Sequence, residues 1–143
     1  MQDDKNIKLI KKFIEKDPGF IKFNNFVLEE VDSKHVKLSV DITNNSLNPS
    51  GFVHGGLLFT LADSAMGMLA RTTGSNAVTV NAQIDYLKPG QGNKIFAIAE
   101  PVRIGNKIAV YKTSIINEQN ELISIVNGTY YFVKYPEAKS SQK

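Results

Sequence analysis

The 143-residue sequence predicts an α+β fold, an antiparallel sheet of five to six strands curled around one long central helix. Three observations predict it. Residues 55–71 are apolar nearly all round, with Leu57, Leu58, Phe59, Leu61, Ala62, Ala65, Met66, Met68, Leu69 and Ala70, and only a helix enclosed on most sides reads that way. After Asn76 the chain becomes a series of strand-like runs rich in β-branched and aromatic residues. Two of the separators between those runs are of hairpin length, which makes their strands antiparallel neighbours. A sheet wrapped on the helix satisfies all three.

Taken from the N-terminus, residues 5–16 form an amphipathic helix, with Ile7, Ile10, Phe13 and Ile14 on one face and lysines elsewhere. Asp17-Pro18-Gly19 ends it. Residues 22–31 and 34–42 read as extended, joined across Asp32-Ser33. In the second run Val36, Leu38, Val40 and Ile42 alternate with Lys37, Ser39 and Asp41, the period of a strand with one wet face. Residues 43–52 are polar and turn-rich and deliver the chain to His54. The central helix follows over 55–71 and closes at Thr72-Thr73-Gly74-Ser75-Asn76. The later strands are Val78-Thr79-Val80, Ile84-Asp85-Tyr86-Leu87, 95–102, 108–116 and 122–133. Pro89-Gly90-Gln91-Gly92-Asn93, Gly105-Asn106 and Glu118-Gln119-Asn120 separate them. Residues 136–143 read as a polar, frayed tail. The whole chain, 1–143, is the length of one domain with a real core.

Composition excludes several functions. Hydrophobic content of 42% and charged content of 22% are those of a soluble globular protein. No apolar run approaches the roughly 20 residues that span a bilayer, and the opening Met1-Gln2-Asp3-Asp4-Lys5-Asn6 lacks a signal pattern, so a cytoplasmic protein is expected. The chain has no cysteine, which excludes disulfides, thiol catalysis and cysteine-ligated metals. His35 and His54 are the only histidines, fewer than the roughly three protein ligands of a catalytic zinc site. No metal and no cofactor is expected. A net charge of +3 without a dense Lys/Arg stripe argues against nucleic acid and suits a small ligand that carries phosphates.

The chemistry concentrates at the start of the central helix. His54-Gly55-Gly56 opens it, and Asp63 lies nine residues after the histidine. A helix start offers unpaired N–H groups and a partial positive charge, which suit a developing oxyanion. A carboxylate inside an oily helix is costly unless it has a partner or a task. Together they point to a hydrolytic site. Yet nine residues at about 1.5 Å each put roughly 13 Å between the two along the axis. One helix does not bring both to a single carbonyl; two helices, one from each of two subunits, do.

Asn48, His54-Gly55-Gly56 and Asp63 at these spacings, followed by Val78-Thr79-Val80-Asn81 and Ile84-Asp85-Tyr86-Leu87, resemble the hotdog-fold acyl-CoA thioesterases of the PaaI-like group. The resemblance runs from about residue 23 to 133. It implies an acyl-CoA substrate and a homodimer that joins its sheets edge to edge and shares its active sites, with two such dimers commonly pairing into a tetramer. It implies that Gly55 supplies the N–H that polarises the thioester carbonyl and that Asp63, from the facing subunit, is the general base or the nucleophile. Asn48 and His54 would shape the loop and hold water or the carbonyl, Thr79 would help to place water, and Gly56 would approach the substrate. Arg103 and Lys107, flanking Gly105-Asn106, are candidates for the coenzyme A phosphates, with Lys88 a further one.

Each residue also has a purely structural reading. Asp63 alone would cap or pair with a buried polar group. His54 would bond loop backbone, Asn48 would make an Asx-type turn before Pro49, and Thr79 is an ordinary strand residue. Gly51 and Gly56 would serve backbone geometry, Phe59, Met66 and Met68 the core, and Arg103 with Lys107 a solvated hairpin end. Two other functions compete. A non-catalytic acyl-CoA-binding sensor on the same fold would need an output domain, and the segment before Phe23 is too short for one. Hotdog dehydratases and hydratases act on the β-carbon and carry a different loop around their histidine.

Overall fold

The computed structural model describes residues 2–134, with side chains from residue 4; the polar tail at 136–143 lies outside the described residues. In chain order the elements are α1 (Gln2–Glu15), α2 (Phe20–Phe23), β1 (Phe26–Val31), β2 (Val36–Asp41), a 3-10 turn (Asn44–Ser46), α3 (Gly55–Arg71), β3 (Asn76–Tyr86), β4 (Lys94–Ile104), β5 (Ile108–Asn117) and β6 (Leu122–Val133). The strands form one six-stranded sheet in the order β1-β2-β4-β5-β6-β3, antiparallel at every pairing. This is the hotdog architecture, a sheet wrapped around a central helix.

The helix sits where its apolar surface demands. Leu58, Leu61, Ala62, Ala65, Met66 and Leu69 are buried against the concave face of the sheet, and α3 packs on β2, β3, β4, β5 and β6. Each fully buried Leu or Met contributes about 2 kcal/mol. Alanines on β4 and β5 (Ala97, Ala99, Ala109), fully buried, leave room for the helix to approach. At its far end Gly74, in the left-handed region at φ 90°, turns the chain back into β3. The Asn6 amide donates to the Thr72 carbonyl at 2.6 Å and Ile10 is buried, which ties α1 to the same end.

Several boundaries differ from the sequence expectation. Residues 22–23, expected as extended chain, belong to the helical turn 20–23, because the Asp17 carboxylate accepts from the N–H groups of Ile21 (2.9 Å) and Lys22 (3.2 Å), and β1 begins only at Phe26. Helix α1 starts at Gln2, earlier than expected. Val78-Thr79-Val80 and Ile84-Asp85-Tyr86-Leu87, expected as separate runs, belong to one strand, β3, which ends at Tyr86.

That strand carries a bulge. Thr79 pairs with Tyr130 and Asn81 with Thr129, so Val80 is the extra residue. The bulge changes which way β3 points. Thr79 and Tyr86 are seven positions apart, an odd number, and simple alternation would send them to opposite faces. With Val80 inserted, both reach α3: Thr79 donates to Asp63 and Tyr86 to the Gly55 carbonyl. Among the described residues no helix is long and apolar enough to cross a membrane.

Candidate active site

The glycine end is built by the loop that enters α3. His54 is the N-cap, with extended backbone (φ −58°, ψ 130°), and its Nδ1 accepts from the Gly56 N–H at 3.0 Å. A ring nitrogen that accepts leaves the proton on Nε2, facing solvent. A Cβ at Gly56 would lie 3.1 Å from that Nδ1, so glycine is what lets the ring fold over the helix start. The His54 N–H donates to the Ser46 carbonyl at 2.8 Å.

Asn48 holds the loop. Its Oδ1 accepts from Ser50 (3.0 Å) and Phe52 (3.1 Å), the Asx turn of its structural reading. Its amide nitrogen has no acceptor among the described residues and lines the same cavity as Gly55.

Gly55 is the first helical residue, and its N–H meets no acceptor among the described residues. Tyr86 covers it: the phenol donates to the Gly55 carbonyl at 2.7 Å, and a Cβ at Gly55 would touch the ring at 3.0 Å. Burial pushes the Tyr86 phenol up, so it stays a donor. A cavity of about 440 Å³ opens here, lined among others by Asn48, His54, Gly55, Tyr86 and Lys88.

The acid end is a different place. Asp63 lies half-buried, and two hydroxyls converge on its Oδ1: Thr79 Oγ1 at 2.8 Å and Tyr130 Oη at 2.7 Å. Its Oδ2 meets no donor among the described residues. Burial, reinforced by the Asp63 carboxylate, drives the Tyr130 phenol far above its ordinary value. A second cavity, about 290 Å³, is lined here by Asp63, Thr79, Tyr130, Gly67, Met68 and Arg71 of the core side and by Phe13 and Ile21 of the N-terminal segment. The two cavities share no residue. The pieces that the motif names are therefore in two groups, Asn48, His54, Gly55 and Gly56 in one and Asp63 with Thr79 in the other.

The cations also separate. Arg103 and Lys107 are exposed at the β4–β5 turn and line neither cavity. Lys88 does line the glycine-end cavity, where its ammonium pairs with Glu121. That ammonium, with the Asn117 amide, holds the Glu121 carboxyl below its usual range. No group of three or more His, Asp or Glu side chains that would hold a metal gathers among the described residues.

Sequence reasoning missed Tyr86 as the cover of Gly55 and Tyr130 as a partner of Asp63. A signal existed for Tyr130. It occupies an inward position of β6, and a buried phenol needs an acceptor for its proton; the nearest costly acceptor in the sequence pattern was the carboxylate in the apolar helix.

Comparison with known proteins agrees with this fold. Residues 50–124, more than half of the chain, match the model of the thioesterase superfamily. The chain belongs to that superfamily. It is 31% identical over 99 residues to the acyl-coenzyme A thioesterase PaaI of Escherichia coli, covering 68% of this chain and 71% of that protein. The solved structure of the E. coli PaaI protein from the phenylacetic acid degradation operon superposes with a TM-score of 0.87, at 25% identity, over 93% of this chain and 96% of that one. A putative esterase of Archaeoglobus fulgidus is 29% identical over 128 residues, 89% of this chain and 83% of that protein. A Streptococcus mutans protein whose structure was solved bound to acetyl CoA has a TM-score of 0.76 at 28% identity, covering 80% of this chain and 94% of its own.

Proposed function

We propose that this superfamily member hydrolyses acyl-CoA thioesters to a free carboxylic acid and coenzyme A, at a site that two copies of the chain assemble. The named activity of E. coli PaaI and the acetyl CoA held by the S. mutans protein support the substrate class. One observation carries the mechanism. Asp63, midway along α3, keeps one oxygen pinned by two donors and the other free, beside a cavity, while the unpaired Gly55 N–H stands in a separate cavity at the start of the same helix.

Both ends lie along β3, which is an edge strand of the sheet. Thr79, near its start, serves Asp63, and Tyr86, at its end, serves Gly55. Eleven residues with exposed Val78 and Val80 and an unpaired row of backbone groups make a template for a further strand. Antiparallel pairing of this edge with its own copy about a two-fold axis sets the start of one β3 against the end of the other. Asp63 of one subunit then faces Gly55 of its partner. Localisation in the cytoplasm accords with this substrate.

In that site the Gly55 N–H, at the positive end of α3, would take the thioester oxygen as it becomes an oxyanion. Asp63 Oδ2 would remove a proton from water as it attacks the acyl carbon, or attack that carbon itself to form an anhydride that water then opens. Either route ends with the C–S bond broken and the coenzyme A sulfur taking a proton. A thiolate leaves readily, so the leaving group asks little of the protein.

The test is a panel of acyl-CoA substrates followed by a thiol reagent, with Asp63→Asn as the control. We expect the variant to bind acyl-CoA and to lose turnover by at least about a thousandfold, in the range of a lost catalytic base or nucleophile. Undiminished turnover in Asp63→Asn would overturn the assignment. A wild-type protein that binds the panel but releases no thiol would instead be a sensor.

A further inference from the structure

Tyr130 is not a residue type that thioester hydrolysis requires, yet it touches the carboxylate on which the proposed reaction turns. We infer that Tyr130 is the positioning residue of this site: its hydroxyl, with that of Thr79, fixes Asp63 Oδ1 so that Oδ2 is the oxygen presented to water or to the acyl carbon. This rests on the role proposed for Asp63 and deepens it.

A carboxylate at the end of a short side chain turns freely about its last bond, whose torsion is broad. Nothing then distinguishes its two oxygens. Here two O–H donors, at 2.7 and 2.8 Å, meet the same oxygen, and hydrogen bonds from hydroxyls to an ionised acceptor are among the strong ones. The donors act as a pair because Thr79 and Tyr130 stand directly opposite each other in the β3–β6 ladder. One row of the sheet therefore sets both. The Tyr130 oxygen is also 3.3 Å from the Asp63 main-chain carbonyl, but a phenol has one proton and the shorter contact takes it.

The ring is held as firmly as the hydroxyl. Its residue is 1% exposed, and the Tyr111 ring meets it edge-on with centroids 5.6 Å apart. Gly128 makes the space: a Cβ there would sit 2.8 Å from Tyr130 Cε2 and 3.0 Å from the Met66 methyl. None of these contacts uses the phenol oxygen. A tyrosine present only for packing would be served equally by phenylalanine, so the oxygen marks the separate role. Burial and the adjacent carboxylate keep its proton in place, so it remains a donor throughout the range in which thioesterases are assayed.

Tyr130→Phe removes the hydroxyl and retains the ring, and Thr79 still satisfies Oδ1. We expect kcat to fall roughly 10- to 100-fold, the worth of one hydrogen bond to a charged group, with KM within about twofold. Tyr130→para-aminophenylalanine returns a donor to the same ring and is expected to recover most of the rate. Thermal melting runs alongside. Wild-type kcat in Tyr130→Phe, with Asp63→Asn inactive, would overturn the inference and leave the proposed function standing. A rate loss that tracks a lower melting point and is not recovered by the para-aminophenylalanine variant would also overturn it, since packing would then account for the residue. Turnover surviving in Asp63→Asn would remove the proposed function and this inference with it.

Discussion

Lys88 is a cation that borders the cavity at the glycine end, and its pairing with Glu121 keeps it at the rim. Phosphates of a bound coenzyme A would compete with that carboxylate for the ammonium. Lys88→Ala is therefore expected to raise KM for acyl-CoA roughly three- to tenfold with kcat nearly unchanged. The effect should shrink at high salt and vanish for an acyl-pantetheine substrate without phosphates, and Michaelis kinetics on both substrates check it. At this scale the sequence was partly readable. His54, Gly55 and Asp63 stand out because a glycine pair at a helix start and an acid in an apolar helix are each chemically odd where they occur. Lys88 drew less attention than Arg103 and Lys107 because all three look like cations beside turns, and only the bond from the Val53 N–H to the Gly90 carbonyl, with Gly90 against Leu58, brings Lys88 to the cavity.

Element boundaries were legible where composition changes sharply, as at α3, whose first glycine and last arginine are those the apolar pattern marks, and at β6. They were hidden where a side chain makes the decision, as Asp17 does for the turn of α2. The bulge at Val80 was hidden for a different reason. Valine favours strands, so nothing in its type announces that it is left out of the ladder, and the pairing partner that skips it lies some fifty residues away. The parity argument gives the bulge a measurable consequence. Deleting Val80 leaves Thr79 and Tyr86 six positions apart, an even number, so simple alternation alone then turns both to α3. The expected result is a folded sheet by circular dichroism with hydrolysis within roughly tenfold of the wild type, because both ends of the site keep their partners. A deletion variant that folds yet loses hydrolysis at least about a hundredfold would show that the bulge does more for the site than set parity.

At the scale of the whole molecule, the spacing of His54 and Asp63 already pointed to two copies, and the separate cavities with their common edge strand give that idea a geometry. Subunit mixing tests it. Gly55→Pro is a suitable partner variant because proline is well accepted at the first helical position and removes the N–H. The extended backbone of His54 suits the residue before proline, and only the Tyr86 ring must yield slightly. Asp63→Asn and Gly55→Pro should each be inactive alone. Unfolded and refolded together in equal amounts, they should regain about a quarter of wild-type activity, since half of randomly formed dimers carry both chains and each has one sound site. No recovery would place Gly55 and Asp63 in the same subunit's site.

In the proposed dimer, the placement of Gly55 and Asp63 beside opposite ends of β3 has a genetic consequence. If both substitutions sit on the same chain, every dimer that this chain forms with a sound partner carries one lesion in each of its two sites. Such a chain is a poison rather than a passenger. In a population of mixed chains, activity would fall as the square of the sound fraction, whereas either lesion alone would lower it only in proportion.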